Sequence, residues 1–345
     1  MFLEETVIIA EMAWAHDGSI QKAIDIMKAA KVAGADAIGI HITEMPDYMV
    51  TYYGSGEGRV SAGKEHLEVY KYLVDINPSH DDWLQFAKAA RECQIKLCVM
   101  PNDSVSLAFA DKSLDADYLA LTAASFVEPD FIEACAKTGR TTLFRLGGAT
   151  LGEIESTLQL WRRSSGGEPI LLHGFQNYPT KLEETNVRQL EILRDLFEVK
   201  VGLADHIDGS DPISQTIPIL ALACGATFIE KHVTWDRDEK GEDFEAALNP
   251  DDFRVFVNNV RAAEVALGQK EWKPLTEAAL RYRDVTRKRL VASRDLEQGA
   301  VLARSDVMFK RSDFGANGEQ LGMVLGRVLK DDLKKDDGIS LDNLA

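Results

Sequence analysis

The sequence predicts an α/β chain in which a (β/α)8 barrel is followed by a small β-rich domain. Three observations carry this. Eight short, near-continuous apolar runs alternate with amphipathic stretches over roughly the first 270 residues. Strands buried on both faces read as such runs, and eight of them with intervening helices form the barrel pattern. Beyond that point the pattern changes to short segments separated by Gly and Asp turns, as in a small β domain. A doubly wound open sheet shares the alternation. However, no G-x-G-x-x-G follows any of the runs, which weakens that alternative and a dinucleotide-binding role with it.

The elements follow in order. Strands are expected at 6–13 (TVIIAEMA), 36–43 (DAIGIHIT), 96–101 (KLCVMP), 118–123 (YLALTA), 141–147 (TTLFRLG), 169–174 (PILLHG), 200–205 (KVGLAD) and 226–232 (ATFIEKH). Between them, stretches such as IQKAIDIMKAAKVAG and HDDWLQFAKAARECQ carry apolar residues at i, i+3, i+4 spacing. Several stop at a Gly or polar residue just before the next strand. The barrel is placed at 1–275, a polar linker at 276–284 and the β-rich domain at 285–345. The last is too small to bury much area alone, so docking on a barrel, its own or a neighbour's, is expected.

Composition narrows the function. The formal net charge of -17 over 345 residues repels nucleic acid and anionic membrane, so neither is an expected partner. An anionic substrate must then be held by local positive charge. The start, MFLEETVIIAEMAW, has two glutamates before a short apolar run and no basic segment, so it is not read as a signal peptide. No apolar run approaches the ~20 residues of a membrane span. The four cysteines lie in apolar patterns without a C-x-x-C pair, as small buried hydrophobes of a reducing compartment do. A cytoplasmic protein is expected.

In a barrel, chemistry sits at the C-terminal strand ends. Five of the seven histidines fall there. His206 and His232 end adjacent strands and are close enough to chelate one ion, and neutral imidazole suits Mn, Fe, Co, Ni or Zn. Asp205 or Glu230 is the expected acceptor for a free ring nitrogen. Hydrogen-bonded structural histidines are the plain alternative. Glu11, after VIIA, points into the barrel mouth and suits a general base, unless Lys231 or Arg145 pairs with it. Arg145, on an apolar strand, can bind a carboxylate or phosphate bidentately or form an internal ion pair. A buried guanidinium needs a counter-charge. Either Glu11 or a substrate carboxylate supplies it, and the substrate is favoured because Lys231, beside the histidine pair, can occupy a carboxylate as well.

AEMAWAHDGS (10–19), LADH (203–206), GATFIEKHVTWD (225–236) and GEDFEAALNPDDF (241–253) resemble the N-acetylneuraminate (sialic acid) synthase family in order and spacing. RLVASRDLEQGAVLARSDVMFKR (289–311) resembles that family's C-terminal antifreeze-like (SAF, β-clip) domain. The resemblance implies metal-dependent condensation of phosphoenolpyruvate, or a similar three-carbon donor, with an amino sugar. Manganese is the first choice of metal, with Mg, Co or Zn as alternatives. It implies Glu11 as the active-site glutamate, His206 and His232 as metal ligands, Asp243 as a sugar contact and Tyr178 in a substrate loop. It also implies Arg311 as an arginine lent to the partner's site in a swapped homodimer.

The departures concern the donor side. The family's K-F-Q is Gly39, Ile40 and His41 here. The lysine and serine of K-I-x-S are Ala120 and Ala123, and the serine of S-T-G-M is Arg145. The asparagine after strand six is Gln176, the serine of S-D-H is Ala204, and G-P-D-H ends in Asp243 and Phe244. Lost charged hydrogen bonds at ~1.5–3 kcal/mol each could abolish phosphate affinity. Three readings stand: a divergent synthase with Arg145 and His41 as a rebuilt anion site, a metal-dependent aldolase or lyase on a 2-oxo sugar acid, and a non-catalytic sugar-binding homologue.

Overall fold

The computed structural model describes residues 5–53, 67–174 and 177–345. The chain divides into two compact units, Met1–Gln269 and Lys270–Ala345.

In the first unit the eight apolar runs are parallel strands: β1 (Val7–Glu11), β2 (Ala37–Ile42), β3 (Lys96–Pro101), β4 (Tyr118–Thr122), β5 (Thr141–Arg145), β6 (Ile170–His173), β7 (Lys200–Asp205) and β8 (Ala226–His232). Each pairs with the next, and β8 closes on β1. The intervening amphipathic stretches are helices with ordinary signals. Ile20–Ala33 starts at Ser19, whose side chain accepts from the Lys22 N–H, and stops at Gly34, whose φ of 101° suits a residue without Cβ. His80–Cys93 and Leu151–Arg163 both open with capping boxes, Ser79/Asp82 and Thr150/Glu153. Their inner faces bury Trp83, Phe86 and Trp161 against the strands, each contributing about 1.5–3 kcal/mol or more by removal from water.

The barrel interior is a separate cluster. Ile9, Ala37, Cys98, Tyr118, Leu143, Ile170, Leu172 and Phe228 fill its lower part. Two residues further along each strand the same face points inward again. That step reaches Glu11, Gly39, Met100, Ala120, Arg145 and Glu230. An apolar plug is thus capped by a charged layer. Glu11 is in register with Gly39 on one side and His232 on the other, and Ala204 is in register with Glu230.

The second unit pairs β9 (Lys288–Ala292) antiparallel with β10 (Val307–Arg311). Isolated bridges Leu296↔Leu333, Val301↔Val328 and Leu329↔Leu344 tie the remaining segments together. Leu290, Leu302, Val307, Val324, Leu329 and Ile339 form its own core. Asp306 is buried, with Oδ2 accepting from the Ala303 N–H at 2.9 Å and Oδ1 from the Arg294 Nε–H at 3.1 Å. The stretch read as a linker, 276–284, is largely helical: Glu277–Thr286 forms a helix capped by Thr276, with no buried residue.

Candidate active site

Strand parity decides which end residues meet. On β8, Glu230 and His232 face the interior, and Lys231 between them faces the other way. Lys231 is fully buried. Its ammonium lies 3.0 Å from Asp205 Oδ2 and donates to the Ile207 carbonyl at 2.8 Å. Of the two alternative partners for Glu11, Lys231 is therefore excluded, because the alternation of β8 aims it away from Glu11. Asp205, which also accepts from the Ile207 N–H at 3.0 Å, is committed to this outer pair.

Arg145 reaches across the barrel from β5 to β1 and β8. Its Nη2 donates to Glu11 Oε2 and to Glu230 Oε2, the latter at 2.5 Å. The guanidinium is 4% exposed and both carboxylates 1%. The counter-charge expected from a substrate carboxylate is thus supplied internally, by two glutamates. Gly39, in register with Glu11, leaves room for that carboxylate. A Cβ at Gly39 would lie 2.8 Å from Glu11 Cδ, so the swing of Glu11 toward Arg145 itself depends on that glycine. Burial pushes the Glu230 carboxyl up to about 7, against the lowering pull of Arg145. Against the lowering effect of its burial, the charges of Glu230 and Glu11 hold the guanidinium firmly protonated.

The expected histidine pair does meet. The His206 and His232 rings are 5.1 Å apart between centroids. Tyr178 packs edge-on against both, at 5.0 and 5.5 Å. Both ring nitrogens of His206 and Nε2 of His232 are buried without a hydrogen-bond partner. Burial drives both imidazoles to the neutral form, His206 to about 3 with Arg145 next in effect, and His232 well below its ordinary value with His206 adding to the push. Neither Asp205 nor Glu230 serves them, since both are held by cations. The carboxylate nearest His232 is Asp243, with Oδ2 at 3.9 Å from Nδ1. Among the described residues no third His, Cys, Asp or Glu joins the pair as a cluster. Asp243 sits in the left-handed region, φ 58°, which aspartate tolerates better than most residues, and its carboxyl is pushed well up by burial and the neighbouring Glu242.

His41, on β2, turns its Nε2 toward Glu11 Oε1 at 3.5 Å, too long for a formed hydrogen bond. Its ring lines a cavity of about 250 Å³ at the barrel mouth, together with Trp14, Tyr48, Tyr72, Asn102 and Asp243. Burial lowers the imidazole to about 4 against the raising pull of Glu11. His16 stands apart: it is fully buried, packs against Trp83, and its Nδ1 accepts from the Gly18 N–H at 3.1 Å. His173 is likewise structural, its Nε2 lying 2.8 Å from the Thr185 carbonyl. Gln176 lies outside the described residues. Arg311 ends β10 in the second unit and is exposed. The sequence reading did not find Glu230 as a partner of Arg145, nor the wall of Trp14, Tyr72 and Asn102. The parity of E-K-H on strand eight carried the signal for the first.

A closed parallel barrel with a charged layer and two open-valence histidines at its C-terminal rim defines a (β/α)8-barrel protein built for chemistry at that end. Residues 26–272 match the NeuB family and residues 287–345 the SAF domain. The chain belongs to the NeuB family, that of the sialic acid synthases. It is 30% identical over 339 residues to a pseudaminic acid synthase of Campylobacter jejuni, covering 97% of this chain and 96% of that one. It is 27% identical to the N,N'-diacetyllegionaminic acid synthase of Legionella pneumophila, covering 93% and 90%. A solved N-acetylneuraminic acid synthetase from Leptospira borgpetersenii shares the fold, with a TM-score of 0.70 at 24% identity over 81% of this chain and 92% of that chain.

Proposed function

We propose that this protein is a metal-dependent enzyme of nonulosonic acid biosynthesis that joins a three-carbon acid donor, phosphoenolpyruvate or a relative of it, to an amino-sugar acceptor. The observation that carries the reading is the pair His206 and His232: two neutral imidazoles with unused nitrogens at the barrel rim, beside Tyr178 and Asp243. Neutral imidazoles with unpartnered ring nitrogens fit a divalent metal, with manganese first and Mg, Co or Zn as alternatives. Such an ion, held by His206 and His232, would polarise a carbonyl oxygen. The names of the relatives, pseudaminic and legionaminic acid synthases, support the substrate class.

The chain's own residues divide the remaining work. Asp243 and Tyr178 bind and orient the acceptor, and the same role is assigned to Gln176. Glu11 is the catalytic carboxylate, its Oε1 fixed by the Ala13 N–H at 2.8 Å. Arg145 holds the charged layer together and presents Nη1 and Nε toward the donor. His41 faces the same cavity. Arg311 completes a partner's site in a homodimer, and the enzyme works in the cytoplasm. No helix among the described residues is long and apolar enough to cross a membrane.

The test is product formation. Manganese-loaded protein is offered acetamido- and diacetamido-hexoses with each three-carbon acid, and mass spectrometry looks for the nine-carbon 2-oxo acid. No condensation with any pairing, from a protein that binds metal, defeats the reading. A reversible aldolase or lyase is the second reading, and the neutralised Arg145 is what favours it.

A further inference from the structure

We propose that Arg237 is a positioning residue: it ties the loop after β8 to the loop after β7 and so fixes Asp243 where it meets the acceptor. This rests on the reading that Asp243 contacts an amino sugar at the barrel rim.

Asp243 belongs to a connection that leaves β8 at His232 and returns at Leu248, whose N–H donates to the His232 carbonyl at 2.9 Å. Inside it lies a turn. The Ala246 N–H donates to the Asp243 carbonyl and the Ala247 N–H to the Phe244 carbonyl, both at 3.2 Å. Asp243 itself sits at a φ of 58°, and a residue other than glycine stays in that region only where its surroundings fix it. Its side chain lines the mouth cavity and stands 3.9 Å from His232 Nδ1. A rotation of the turn would carry the carboxyl group away from the cavity. Its place therefore depends on what holds the residues that follow it.

Arg237 supplies that hold. Nε donates to the Phe244 carbonyl at 3.1 Å, and Nη2 donates to the Glu245 carbonyl at 3.2 Å and to Asp208 Oδ1 at 2.9 Å. The backbone of the arginine is anchored too, its N–H donating to Asn249 Oδ1 at 2.9 Å. Asp208 lies two residues after His206 and is fixed in its own loop by the Ser210 N–H and hydroxyl, both at 2.7 Å. From that loop the Gly209 N–H reaches the same Glu245 carbonyl at 2.8 Å. The two backbones run so close there that a Cβ on Gly209 would collide with the Ala247 carbonyl oxygen. One guanidinium thus gathers a carboxylate and two carbonyls, which suits the planar fork of an arginine better than the single point of an ammonium. Two other ties act earlier in the connection. Lys22 bridges Asp17 and Glu239 at 2.8 and 2.5 Å, and Tyr72 hydrogen-bonds Glu242. These hold the near side of Asp243, and Arg237 holds the far side. Arg237 is not among the described residues that line the cavity, so its effect on the acceptor runs through Asp243.

The test compares the unaltered manganese-loaded protein with Arg237→Ala, Arg237→Lys, Asp243→Asn and the double variant. Condensation of phosphoenolpyruvate or pyruvate with acetamido- and diacetamido-hexoses gives kcat and the KM for the hexose. Hydrogen exchange read by mass spectrometry follows the amides of 241–248. Arg237→Ala should raise that KM roughly tenfold with kcat and metal content nearly kept, and should speed exchange across 241–248. Arg237→Lys should recover part of both. In the Asp243→Asn background the arginine change should raise KM little further, because both act on one contact. Gly209→Ala, which wedges the same loops apart and leaves the arginine in place, should raise KM as well. An unchanged KM in Arg237→Ala, or a full second increment in the double variant, overturns this inference and leaves the condensing reading intact. Lower kcat and faster exchange throughout the barrel at an unchanged KM show a merely structural arginine and overturn it too. No condensation by the unaltered protein overturns the condensing reading and this inference together.

Discussion

Replacing Arg145 by methionine tests the centre of the site. The substitution keeps an unbranched side chain across the barrel and removes the charge, leaving Glu11 and Glu230 buried without their cation. Breaking a buried ion pair by removing one partner costs about 3–5 kcal/mol. The barrel unit spans Met1–Gln269, so at about 2.1 cal/mol/K per residue its unfolding entropy is on the order of 0.6 kcal/mol/K. The expected fall in melting temperature is therefore roughly 5–9 °C near pH 8. The deficit also depends on pH. Glu230 already holds its proton up to about 7, above its ordinary 4.5, and without the guanidinium it holds it further still. The native variant then keeps a proton that the unfolded chain releases above 4.5, so its stability falls as pH rises. Thermal unfolding by circular dichroism at pH 5.5 and pH 8 should show the larger loss at pH 8, with part of it recovered when Glu230→Gln is added. A shift under about 2 °C at both pH values would show that the triad is not a structural unit and that Arg145 is free for substrate.

Three further outcomes are expected. His206→Ala and His232→Ala should each lose bound manganese by elemental analysis, and full occupancy in both would move the site elsewhere. Burial pushes His16 down to about 4, so the native imidazole stays neutral while the unfolded chain takes a proton below 6.5. Its contribution is complete above 6.5 and is lost as pH falls toward 4, and His16→Asn should flatten the stability profile in that window by a few kcal/mol. Sedimentation should give a dimer at micromolar concentration, and mixing Arg311→Ala with Glu11→Gln chains should restore activity if Arg311 serves a partner's barrel; failure to complement would refute that role.

The eight strands were legible because doubly buried strands leave near-continuous apolar runs, and the observed strands fall inside or on those runs from Val7–Glu11 to Ala226–His232. The histidine pair was legible because adjacent strand ends are neighbours in any barrel. The ion triad was not. Whether a buried arginine meets a substrate or a neighbour depends on which side chains share its layer, and Arg145 lies 85 and 134 residues from its partners. Parity along β8 resolves half of this, since Lys231 must face away from Glu230 and His232. The other half, the swing of Glu11 over Gly39, is a matter of packing that no local pattern records.

The outward face of β8 bears on the proposed metal site in its own way. Lys231 ties β8 to Asp205 and to the Ile207 carbonyl, which flank His206 directly in the chain, while Lys231 itself precedes His232. One buried ammonium therefore clamps the backbone at both histidines from behind. A pocket whose two nitrogen donors are braced in this way has little freedom to open for a larger ion or contract around a smaller one. If the histidine pair holds the proposed ion, discrimination among divalent cations would become a question of radius, enforced by a lysine that never touches it.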